Sequence, residues 1–140
     1  MGAQKTPVAV DKVSVIKTFD PAATKGAAGH VEDMLGKIIK GSAKLELVRK
    51  FPKDAKGFEV SGTVRELEFD TSAKVISAKL SVQVVLMPGR KLHAMLDGGG
   101  KVDGVNPAKI EPAVKDVLDA VAESLAAKAR KAMEAKAGDL

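Results

Sequence analysis

The chain has no cysteine, no tryptophan and no tyrosine in its 140 residues, and only two histidines and four phenylalanines. Without cysteine there is no disulfide, no thiolate nucleophile and no sulfur metal site, and the redox compartment stays open. A metal site needs several converging ligands. His30 stands at a helix entry beside Glu32 and Asp33, and His93 lies in a strand; neither has a second histidine at ligand spacing, so both read as structural and no cofactor is expected. Single-strand nucleic-acid binding normally adds aromatic stacking platforms to positive charge. Four Phe at core or turn positions do not supply them. The net charge of +5, from 23 basic and 18 acidic residues, is interleaved by sign and reads as a solvated surface. No specific nucleic-acid partner is therefore expected. Nor does any apolar run approach the ~20 residues of a membrane helix.

Catalytic motifs are also scarce. No GxSxG elbow occurs, and the serines fall in strands or turns. The stretch "LDGGGKVDG" resembles a phosphate-binding loop, but Met95 stands at the first glycine position and Val102 replaces the hydroxyl that would hold magnesium. Asp97 and Asp103 lack the acidic spacing of an EF-hand loop. Gly98, Gly99 and Gly100 instead suit a bulge or a close backbone approach by the last helix or by a partner. The opening "MGAQKT" has the spacing of an N-myristoylation site on Gly2, a short pattern that a cloned start also leaves. No apolar signal-peptide core stands near the start, a property that a chain trimmed to its mature part would share.

What the chain does contain is alternation. In "FEVSGTVRELEFD", "VISAKLSVQVVLM" and "KLHAMLDGGGKV" apolar residues recur at every second position, as a strand with one buried face requires. Ile76, Ala78, Leu80, Val82, Val84 and Leu86 share one side; Ser77, Lys79, Ser81 and Gln83 take the other. One apolar and one polar face describe an antiparallel sheet packed on a single layer of helices. The links "DTSAK" and "MPGRK" have hairpin length, so the three strands form a meander. Between Val64 and Leu67 the apolar phase changes, which predicts a β-bulge near Arg65 and Glu66.

Before the meander, Val8, Val10, Val13 and Val15 give a long or broken strand with a phase slip. "HVEDMLGKIIKG" gives a short helix with Val31, Met34, Leu35 and Ile38 on its stripe, closed by Gly41 as a left-handed cap. Leu45 and Leu47 mark another strand. After two proline-marked turns, Val114, Val117, Leu118, Val121, Leu125, Ala129 and Met133 line one stripe of a long last helix. The expected fold is a single α+β domain over residues 1–140, with 1–7 and 134–140 frayed. Its mixed, mainly antiparallel sheet has about five strands, in the order β-α-β-β-β-β-α, covered on one face by a short and a long helix.

The succession of an extended start, a helix, Ser61-Gly62-Thr63-Val64 opening a strand, the meander with its Gly-containing edge and a long terminal helix resembles small bacterial envelope domains. These are the N-terminal domain of the Tol-system translocation protein B, the lipoprotein activators of peptidoglycan synthases and the curli-secretion lipoprotein. The chain departs from them in having one helix before the meander and no lipobox cysteine. The resemblance implies a non-enzymatic envelope protein that binds another protein, in the periplasm or at the envelope, with the cytoplasm as the alternative. His93, Met95, Asp97, Gly98, Gly99, Gly100 and Lys101 form the candidate partner surface, with His93, Met95 and Asp97 together on the polar face. A homo-oligomer through the last helix is a further expectation. The alternative function is a small-ligand or lipid-binding domain with a pocket between sheet and helices.

Overall fold

The computed structural model describes residues 5–20 and 24–140, so the Gly2 lipid site lies outside the described residues. The meander consists of β4 (Gly57–Asp70), β5 (Val75–Met87) and β6 (Lys91–Val102). Each hairpin link is closed by a residue at positive φ, Lys74 in the first and Arg90 in the second. β4 and β5 pair antiparallel with a register shift between Val64 and Glu66, so Arg65 is the extra residue that keeps Val64 and Leu67 on one face. On β5, Ile76, Ala78, Leu80, Val82 and Val84 are buried.

The N-terminal strand is broken, as its phase slip implies. β1 (Thr6–Val10) and β2 (Ser14–Val15) both run parallel to β4, and the N–H of Val13 in the break donates to Glu32 Oε1 at 2.7 Å. β3 (Leu45–Val48) lies parallel to β1 on its other side. A parallel pair needs a crossover, and α1 (Ala27–Lys40) is that crossover. The sheet order is β3-β1-β4-β5-β6, with β2 attached to β4, six strands among the described residues.

Both helices cover the same face. α1 packs on the β1–β4 half, α2 (Ile110–Ala137) on β5 and β6, and the helices touch each other. The stripe expected for α2 is buried throughout, from Val114 to Met133. A two-helix seam through that stripe is therefore corrected: its side chains are already committed to the subunit's own core, and its apolar face cannot also pair with another copy.

Some boundaries move. α1 begins at Ala27, which places His30 inside the helix rather than in a loop before it. Its buried stripe is Ala27, Val31, Leu35 and Ile39, with Met34 and Ile38 half-buried at its margins. Gly41 is right-handed at φ −73, because the chain tightens into three-residue turns, Gly41 N–H to the Ile38 carbonyl at 3.2 Å and Ser42 N–H to the Ile39 carbonyl at 3.0 Å. Thr6 and Pro7, expected at a frayed end, belong to β1, and α2 continues to Ala137, with Ser42 Oγ donating to Glu134 Oε2 at 2.7 Å.

Candidate interaction surface

β6 ends the sheet path, and among the described residues it pairs only with β5. The direction of its free backbone groups follows by alternation from the other side of the sheet. The carbonyls of Val60 and Val64 accept from Asp11 N–H and Ile16 N–H, so these even-numbered residues of β4 turn towards the N-terminal strands. Their odd-numbered neighbours turn to β5, pairing Ser61 with Gln83 and Thr63 with Ser81. The even residues of β5 then turn to β6, pairing Leu80 with Gly98 and Ala78 with Gly100. Met95, Asp97, Gly99 and Lys101 are left with N–H and C=O directed outward along the edge, a row that can receive another strand.

The same alternation sorts the side chains. Met95, Asp97, Gly99 and Lys101 lie opposite Gln83, Ser81, Lys79 and Ser77 on the outer face, away from the helices. Gly98 and Gly100 face α2. A Cβ on Gly100 would stand 2.8 Å from Val121 Cγ2, and one on Gly98 would stand 3.1 Å from Leu125 Cδ2. Close approach of the last helix is thus the role of these two glycines, and they are not on the exposed surface with their neighbours. The run lies within a strand, not in a loop that opens a helix, since α2 begins only at Ile110.

His93 is corrected. The β5–β6 register shifts between Val84 and Val85, where Ala94 pairs with Val84 and Leu92 with Val85, so His93 is the extra residue of a bulge. The bulge takes its ring out of the outer row with Met95 and Asp97 and sets it 6.1 Å from the ring of the buried Phe58, at 41°. Leu92, opposite Val85, joins the outer face in its place. Leu92 and Met95 are 58% and 54% exposed, an apolar pair at the end of β6 near the turn.

Around them the outer face is polar and internally paired. Ser81 Oγ donates to Asp97 Oδ1 at 2.5 Å, and Arg65 lies 3.6 Å from the same carboxylate. Lys79 meets Glu66 and Lys17 meets Glu68, both at 3.7 Å, and Arg90 meets Glu59 at 3.3 Å. A hydrogen bond with Glu68 holds Glu66 below the ordinary glutamate range, helped by the Lys79 charge; the same bond raises Glu68. Among the described residues Lys101 has no ion pair.

His30 is engaged elsewhere, its Nε2 against Asp119 Oδ1 across the α1–α2 seam. No sequence signal short of the fold links residues so far apart. Among the described residues no three His, Cys, Asp or Glu side chains converge as a metal site would require. A cleft of about 290 Å³ opens between the start of α1 and the first turns of α2, lined by Thr24, His30, Glu111, Lys115 and Leu118. The space between sheet and helices, where a ligand pocket was the alternative, is occupied by core side chains including Val60, Leu80, Leu118 and Leu125.

No protein-family model matches the chain, and no curated protein does. Solved structures do share the fold. The protein XCC0632 from Xanthomonas campestris, of the DUF330 family, is 14% identical with a TM-score of 0.72, over 96% of this chain and 90% of that one. The PelC dodecamer from Paraburkholderia phytofirmans is 14% identical with a TM-score of 0.60, over 89% of each chain. A candidate lipoprotein from Caulobacter crescentus CB15 is 13% identical with a TM-score of 0.54, over 91% of this chain and 92% of that one. At these identities the likeness concerns the fold, and it does not extend to the three particular envelope families that the sequence resembles.

Proposed function

We propose that the chain is a non-catalytic protein-interaction module of a bacterial cell-envelope assembly, and that it offers the free edge of β6 and the adjoining outer sheet face to a protein partner. The observation that carries this is β6 itself: a twelve-residue strand without a proline, whose outer edge meets no other strand among the described residues and which carries exposed Leu92 and Met95. Beyond the bulge at His93, the edge from Met95 to Lys101 is regular, and extended segments add to such edges through main-chain hydrogen bonds. The envelope location is supported by the shared fold with a candidate lipoprotein, and assembly by the shared fold with a dodecamer. The non-catalytic reading rests on the sequence, which carries no GxSxG elbow and no second histidine at ligand spacing.

The test is site-specific photo-crosslinking in the native host combined with cell fractionation. Crosslinkers at Met95, Gly99 and Lys101 should give discrete protein adducts in the envelope fraction, whereas one at exposed Lys53 should give none. Adducts absent from β6, or a protein recovered only with the cytosol, would overturn the reading.

A further inference from the structure

We propose that the partner at the β6 edge is a second copy of this chain, paired antiparallel through β6 about a two-fold axis at Gly99; this rests on the reading of β6 as the interaction surface. The outward backbone row of Met95, Asp97, Gly99 and Lys101 allows only odd residues to exchange hydrogen bonds with odd residues. With Gly99 opposite its own copy, Asp97 of one chain stands opposite Lys101 of the other, and the two-fold repeats that pair. Both side chains lie on the outer face, where directly opposed residues interact. Lys101 gains the ion pair it lacks within the subunit, and Asp97 keeps Ser81 and Arg65 on its other side.

Neighbouring registers are poorer. Centring on Asp97 sets two carboxylates against each other, and moving by one pair the other way sets Asp97 against Asp103. The remaining near register places Met95 opposite Lys101 and Asp97 opposite Gly99, without either ion pair. On the helix side, the favoured register sets Gly98 opposite Gly100 and Leu96 opposite Val102, so no bulky pair meets beneath α2. On α2, Ala120 and Ser124, which precede the Val121 and Leu125 that cover Gly100 and Gly98, are small and exposed.

Analytical ultracentrifugation of the whole chain over about a hundredfold dilution series should show a monomer–dimer equilibrium. Asp97→Lys and Lys101→Asp each replace both cross-copy pairs by like charges, and each should weaken dimerisation about tenfold or more. Mixed together, the two variants should restore a 1:1 heterodimer, because the two lysines that one variant then carries at these positions face the two aspartates of the other. Circular dichroism serves as the folding control, and Lys101→Asp disturbs no ion pair within the subunit. A monomeric wild type, or reversals that dimerise as the wild type does, would overturn the two-fold pairing. Crosslinks from β6 to a different protein, with a monomeric wild type, would remove the second copy and leave the interaction reading standing; no β6 adducts at all would remove both.

Discussion

The inner and outer faces of the three meander strands are made by the same backbone, yet they differ in almost every physical respect. Inward, Phe58, Val60, Leu80, Val82 and Val84 are fully buried under the helices. Outward, most side chains are serine, threonine, glutamine and opposite charges set 3.3–3.7 Å apart, with half-buried Val75, Val85 and Met87 and exposed Leu92 and Met95 among the apolar ones. The contrast is sharpest in the glycine run. Gly98 and Gly100 lack a side chain because α2 occupies the space, whereas Gly99 between them faces outward on the free edge. One short run therefore serves core packing with two residues and leaves the third for the surface, which is why composition alone does not separate packing from recognition.

The largest break in this contrast should come from charge. Leu80→Asp buries a carboxylate with no partner and should cost more than about 4 kcal/mol, enough to unfold many domains. Lys79→Asp, one residue away and facing out, loses an exposed ion pair and should cost about 1 kcal/mol or less. Equal shifts in denaturant midpoint would mean that the faces are exchanged.

Leu118→Ala tests the cover rather than the sheet. Removing its buried methyl groups should cost about 2–5 kcal/mol. Because the residue packs within the subunit, that difference from wild type should persist at every protein concentration; a loss that vanished on dilution would move α2 to an interface.

Within the glycine run, Gly100→Ala should cost about 1–3 kcal/mol, since its methyl meets Val121. Gly99→Ala meets the Ala78 carbonyl at 3.2 Å, a smaller intrusion, and should cost about 1 kcal/mol or less. Thermal melts that reversed this order would contradict the placement of α2 over β6.

The smallest effect is a titration. Glu66 should lose its proton below, and Glu68 above, the ordinary value of 4.5, as carboxyl-carbon NMR can follow. The consequences oppose each other. The lowered Glu66 contributes stability above its unfolded value that fades as pH falls; the raised Glu68 contributes below its unfolded value and fades as pH rises. Net stability should thus change little across this range, and Lys79→Ala should raise Glu66. Identical midpoints for the two carboxyls would show that they do not share a hydrogen bond.

What the sequence by itself determined is whatever depends on neighbours along the chain. Period-two alternation assigns each residue of β5 to a face, the phase change at Arg65 announces a bulge, and a four-three-four stripe marks the buried side of α2, because backbone geometry translates spacing directly into direction. Met95 and Asp97 face outward by the same rule, while the outward facing of Gly99 and Lys101 is read from the pairing with β5. Only the tertiary structure decided which distant segments meet. The parallel pairing of β1 with both β3 and β4, the His30–Asp119 contact and the rotation of the α1 stripe to Ile39 each depend on a surface that another part of the chain provides. His93 shows the boundary between the two. Strict alternation sends it outward, but a one-residue bulge in pairing with β5 turns it to Phe58, and pairing is a property of two strands that neither strand's own sequence contains.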